Sequence, residues 1–212
     1  WASPLGFPAL ERGCDISMMS LSKHVGGHSD VMMGSASARE PLYRTLRRTA
    51  QQLGQVVSPD DAALAARGLR TMKVRLEAST TSAARIAAWL ADQPQVERVL
   101  CPLLPGDPGH ALFARDFTGG CGLFSFVLAG GDMKAAGRVV DALRLFGIGY
   151  SWGGYESLAL PIAPHAYRSV MGAPTRAPDG ATRPAIRLSI GLEDSEDLIA
   201  DLERALAHLD SR

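Results

Sequence analysis

Ser17-Met-Met-Ser-Leu-Ser-Lys-His-Val-Gly-Gly-His-Ser-Asp30 is the stretch on which the rest of the chain turns. The apolar run from Ile16 to Met19 leads into two alternating hydroxyls and a lysine. A Gly-Gly pair and a His-Ser-Asp group then deny any continuing strand or helix. The pattern predicts a strand that ends in a functional loop, with Lys23 at its centre.

Composition sets that lysine apart. Of the 22 basic residues only Lys23, Lys73 and Lys134 are lysines, so Arg serves almost everywhere a plain positive charge suffices. Arg stays protonated at any working pH, whereas a lysine near other cations or partly desolvated can lose its proton and condense with a carbonyl group. Ser20 and Ser22 would lean away from Lys23 in an extended segment, but a turn at the strand end brings both hydroxyls round. Hydroxyls beside such a lysine suit a phosphate, as in pyridoxal phosphate, because they donate without a charge of their own. The alternative on spacing alone is a Ser-rich loop with an exposed lysine.

Ser20-Leu-Ser-Lys-His-Val-Gly-Gly-His-Ser-Asp-Val-Met-Met-Gly34 resembles the lysine segment of the pyridoxal-phosphate enzymes of cysteine and methionine metabolism, and most closely their cystathionine-cleaving β-lyase branch. The resemblance implies that Lys23 bears pyridoxal 5'-phosphate covalently and that Ser20 and Ser22 bind its phosphate. It also implies an α/β fold: the end of a fold-type I (aspartate-aminotransferase-like) large domain over residues 1–70, then a smaller α+β domain over 71–212. The opening Trp1-Ala-Ser-Pro-Leu-Gly-Phe-Pro8 matches the middle of the family's large domain. A second half of the subunit is therefore an expected partner. It would bring the acid for the pyridine nitrogen, the ring-stacking aromatic and the glycine-rich phosphate loop.

Size and charge agree with a small-molecule enzyme. The chain has 212 residues, 46% hydrophobic, with 22 acidic and 22 basic side chains, enough for a substantial core and without the basic excess of a nucleic-acid surface or a polybasic membrane anchor. Cys14, Cys101 and Cys121 show no paired or metal-binding spacing, which fits a reducing, cytoplasmic setting.

Downstream, residues 41–55 predict a short amphipathic helix, and Ser58-Pro-Asp-Asp61 is a helix start with Ser58 as cap and Pro59 at the first position. One long, kinked helix is expected from there to about Asp92. Gly68-Leu-Arg-Thr71 within it resembles the family's hinge element; an exposed helical Arg70 is the alternative. Val96–Leu100, Leu123–Leu128 and Ile186–Ile190 read as strands, Asp132–Phe146 and Ser195–Leu209 as helices. Together they predict helices on one face of a small, mainly antiparallel sheet. The segment from His110 through Arg115 to Phe126 is similar to a β-lyase segment and is expected to hold structure, with His110 hydrogen-bonded or at the surface.

Two further stretches carry chemistry. In Gly149-Tyr-Ser-Trp-Gly-Gly-Tyr-Glu-Ser157 a Gly-Gly pair lets the backbone approach a ligand closely. Read alone it is equally a turn with packed aromatics; the resemblance places Tyr150, Ser151 and Trp152 over the substrate. Arg187 interrupts an apolar strand, where a charge is costly unless paired. It can hold a substrate carboxylate through two parallel hydrogen bonds or pair with a nearby acid; it matches the family's carboxylate-binding arginine. The implied activity is cleavage of cystathionine, a sulfur amino acid, to homocysteine, pyruvate and ammonia in a homo-oligomer, dimer or tetramer. Ser-Trp-Gly-Gly-Tyr155 favours β- over γ-cleavage, and His24 departs from the aromatic residue usual beside the lysine. The alternatives are a γ-acting relative (cystathionine γ-lyase or γ-synthase, methionine γ-lyase) and a non-catalytic half-subunit that acts only in assembly.

Overall fold

A computed structural model describes residues 1–164 and 182–209. After a helical turn α1 (Ser3–Gly6), strand β1 (Ile16–Ser20) pairs antiparallel with β2 (Gly34–Ala38) in a two-stranded sheet, and the Lys23 segment is the loop between them. Helix α2 (Leu42–Gln52) follows. None of its residues is buried, although Leu42 and Tyr43 are large and apolar.

The long helix expected from Ser58 is two: α3 (Pro59–Leu69) and α4 (Met72–Ala91). Ser58 caps the first as expected, accepting from the Asp61 amide. The break has a local cause. The Gly68 carbonyl is claimed by the Thr71 amide and hydroxyl and by the Arg75 guanidinium instead of by a continuing helical ladder. Gly68 must also lie against the lysine loop, where a Cβ would collide with the carbonyl oxygens of Val25 and Gly26.

The second half holds β3 (Val96–Leu100), α5 (His110–Asp116), β4 (Leu123–Leu128), α6 (Met133–Asp141), β5 (Gly147–Ile148), β6 (Leu158–Ile162), β7 (Ala185–Ser189) and α7 (Ser195–Leu206). The five strands form one sheet in the order β3-β4-β7-β6-β5, antiparallel except for the β5–β6 pair. Alternation on β4 and β7 sends Phe124, Phe126, Leu128, Ile186 and Leu188 into a core shared with α4, α6 and α7. Arg187, between two of those residues, therefore faces the other side.

Helix α6 stops short of the expected Phe146. The Asp201 carboxylate on α7 accepts from the amides of Arg144 and Leu145, which turns the chain out of the helix. His110 is fixed structurally, its Nδ1 donating to the Pro102 carbonyl. Arg70 is exposed as the C-cap of α3, in the turn that leads to α4 and not within a helix.

Candidate active site

Lys23 stands in a tight turn after β1. Its carbonyl accepts from the Gly27 amide and the Leu21 carbonyl from the Gly26 amide, which folds the Gly-Gly pair back under the lysine. Ser22 closes the loop's other end, accepting from the Met33 amide at 2.9 Å and donating to the Met33 carbonyl. Ser20, at the exposed end of β1, has no side-chain partner among the described residues.

Arg75 clamps the turn from α4. Nη1 donates to the His24 carbonyl and Nη2 to the carbonyls of Val25 and Gly68. Sequence reasoning missed this residue. The visible signal was a pair of distant glycines, Gly27 and Gly68, that leave room for the guanidinium and the loop to meet.

Across from the turn lies residues 150–157. The Lys23 amine donates to the Ser151 hydroxyl at 3.0 Å and sits 5.6 Å from the Trp152 ring centroid, within cation–π range. His24 meets Trp152 edge-on, ring centroids 5.2 Å apart; His28 lies beside Tyr155; Ser29 donates to Glu156 Oε1 at 2.5 Å. The two segments thus run alongside each other, pairing 23 with 151, 24 with 152, 28 with 155 and 29 with 156. Glu156, a second residue missed from sequence, keeps its Oε2 buried without a partner among the described residues.

The facing segment is itself held from the sheet. Gly153, at φ +74, donates its amide to Ser189 on the strand end, and Glu193 accepts from both the amide and the hydroxyl of Ser157. A Cβ at Gly153 would come within 2.8 Å of His24 Nδ1, so this glycine supplies both the left-handed turn and the space. Arg187 faces no acid among the described residues. Its Nη2 donates to the carbonyls of Gly149, Tyr150 and Ser151, the shortest at 2.6 Å, which leaves Nε and Nη1 without a partner among those residues. The alternative of a structural ion pair is thereby replaced by a guanidinium that braces the loop at residues 149–151. Partial burial draws its pKa below the usual arginine value.

Lys23, Ser151, Trp152 and Arg187 are thus gathered at one place, with Tyr150 contributing its carbonyl and exposing its ring. The profile of the Cys/Met metabolism PLP-dependent enzymes matches residues 1–207. The chain belongs to that family. Among Cys/Met metabolism PLP-dependent enzymes it is 49% identical to a candidate cystathionine beta-lyase of Rhizobium johnstonii and 43% identical to the cystathionine beta-lyase of Escherichia coli K12, covering 98% and 99% of this chain and 52% of each relative. A crystal structure of cystathionine gamma synthase from Xanthomonas oryzae pv. oryzae, in complex with aminoacrylate and cysteine, superposes with a TM-score of 0.85 at 39% identity over 99% of this chain and 54% of that one. The chain spans about half the length of the curated relatives it matches.

The residues present fit the family's cofactor. A half-buried primary amine whose only described polar partner is a neutral hydroxyl is suited to condense with an aldehyde, and Ser20 offers an unengaged donor at the strand end. Among the described residues no helix is long and apolar enough to cross a membrane.

Proposed function

We propose that the protein is a pyridoxal-phosphate carbon–sulfur β-lyase that cleaves cystathionine to homocysteine, pyruvate and ammonia. The observation that carries this reading is the contact of the Lys23 amine with Ser151, on the loop that Arg187 braces. Bound at Lys23, the cofactor supplies an aldehyde for the substrate amine and a ring that takes up negative charge.

This chain's residues do the rest. Lys23 anchors the cofactor, and its Nζ, once released, takes the proton from the substrate Cα and delivers one to the leaving sulfur. Ser151, 3.0 Å away, orients that amine. Arg187 offers Nε and Nη1 to the substrate carboxylate, while Tyr150, Ser151 and Trp152 cover the bound amino acid; once the thiol has left, one water hydrolyses the remainder to pyruvate and ammonia. Ser20 takes the phosphate directly, whereas Ser22 reaches it only by giving up the Met33 carbonyl.

We assign residues 1–70 to the end of a fold-type I cofactor domain and 71–212 to a C-terminal domain. The cleft of about 690 Å³ between β1–β2 and α2, lined by Met18, Met32, Tyr43 and Val56, suits the remaining half of the subunit, and a dimer or tetramer completes the site. Three free thiols suit a reducing cytoplasm.

The test is the visible absorbance of the purified protein with added pyridoxal phosphate, compared with Lys23→Ala, followed by product analysis on cystathionine. A band lost in Lys23→Ala, with pyruvate formed, supports the proposal. Release of 2-oxobutyrate would assign γ-cleavage instead, and a folded protein without the band would leave only an assembly role.

A further inference from the structure

Among the described residues His24 is the one buried titratable side chain in contact with the 150–157 segment, and nothing in the mechanism above employs it. Its ring is packed on every side. Nε2 lies 2.9 Å from the Trp1 carbonyl, the edge faces Trp152, and Nδ1 lies against Gly153. Met72, Arg75, Leu76 and Ser79 of α4 line the small gap behind it.

We propose that His24 is a positioning residue that, through its edge contact with Trp152 and its anchor on the Trp1 carbonyl, holds Ser151 and Trp152 against the Lys23 amine. The inference rests on the site proposed above but adds a role for a residue outside the chemistry. Because a carbonyl only accepts, Nε2 carries the hydrogen, and in the neutral ring Nδ1 is bare where it meets Gly153. The backbone of His24 is fixed separately by the Arg75 clamp on its carbonyl, so the ring is held at both ends. The ring is therefore the rigid post against which Trp152 leans.

The arrangement holds in one protonation state. A proton on Nδ1 would point at the Gly153 backbone, while Arg75 and the Ser79 hydroxyl, itself donating to the Leu76 carbonyl, stand behind the ring on α4 and Trp152 lies opposite. Burial above all, with a lesser push from the Arg75 charge, lowers the ring's pKa against the pull of the Trp1 carbonyl. Acid should therefore loosen the 151–153 segment from the lysine.

The experiment reads Trp152 directly. Tryptophan emission is followed from about pH 8 to about pH 5 in the wild type, in His24→Gln and in Trp152→Phe, since an imidazolium in ring contact quenches an indole. The component lost in Trp152→Phe is expected to dim in acid with a midpoint below 6.5 and to stay flat in His24→Gln. In steady-state kinetics, His24→Gln is expected to lower kcat/KM about tenfold, through kcat as well as KM, short of the roughly hundredfold a 1 Å misplacement can cost. His24→Phe, which restores a ring against Trp152, should recover most of that loss. A Trp152 component insensitive to acid, or a wild-type kcat/KM in His24→Gln with the visible band intact, overturns the proposal. Absence of the band with the emission titration preserved would instead count against the lyase reading and leave the His24–Trp152 contact standing.

Discussion

Arg75 and Val25, fifty positions apart, are joined by a hydrogen bond of 3.2 Å from the guanidinium to the carbonyl of a residue two beyond the lysine. With the bonds to His24 and Gly68 it makes one side chain the fastening between α4, the α3–α4 break and the lysine turn. Arg75→Ala would strip three carbonyls of a charged donor. The expected cost is about 2–3 kcal/mol, discounted for partial exposure from the usual value per charged hydrogen bond, read as a fall in the urea midpoint. Arg75→Lys should not rescue it, because a single ammonium cannot span three acceptors.

Gly68 and Gly137 make opposite tests of helical glycine. At Gly68 a Cβ would strike two carbonyl oxygens of the lysine loop, so Gly68→Ala should destabilise by at least about 2 kcal/mol. At Gly137, inside α6, nothing lies within 4 Å, so Gly137→Ala should stabilise by about 0.5–1 kcal/mol. Thermal unfolding of the two variants side by side checks both signs.

The three thiols should separate cleanly. Burial pushes Cys101 and Cys121 up to about 11, while Cys14 is exposed. A thiol reagent at about pH 8 should therefore modify one cysteine in the native protein and all three in urea; modification of a buried thiol at the rate of Cys14 would contradict the packing.

Acid should weaken the fold through His24. Burial lowers its folded pKa below 6.5, so between that value and 6.5 the unfolded chain holds more protons than the folded one. Stability is then fully present above 6.5 and falls as pH drops through the window, by up to about 1.4 kcal/mol per pH unit. The difference between wild-type and His24→Gln urea midpoints at about pH 7.5 and about pH 5.5 isolates this contribution. Parallel changes in both proteins would assign the loss to other groups.

Much of this was legible in the chain. The apolar run into two serines, a lysine and two glycines gave β1 and the turn that follows it, and the stripe of Leu198, Leu202 and Leu206 gave α7. Arg187 stood out as a charge in an apolar strand, but that it faces the side away from the core shared with the helices comes only from the sheet. What sequence could not give were the pairings between distant segments. The Arg75 clamp, the Ser29–Glu156 bond and the Asp201 carboxylate on the amides after α6 each join residues 50 or more positions apart. Periodicity reports only a residue's own element. The long helix from Ser58 was misread for the same reason, since its break is caused by groups that reach Gly68 from Thr71 and Arg75 while Gly68 rests on the lysine loop.

The residue-by-residue facing of segments 23–29 and 151–156 has a consequence for divergence between relatives. A substitution in one segment alters the neighbour of a fixed position in the other, so the two behave as one structural unit despite their distance along the chain. A chimera that takes only one segment from a relative would set mismatched partners at Lys23, His24, His28 and Ser29, whereas one that takes both would carry every pairing across intact.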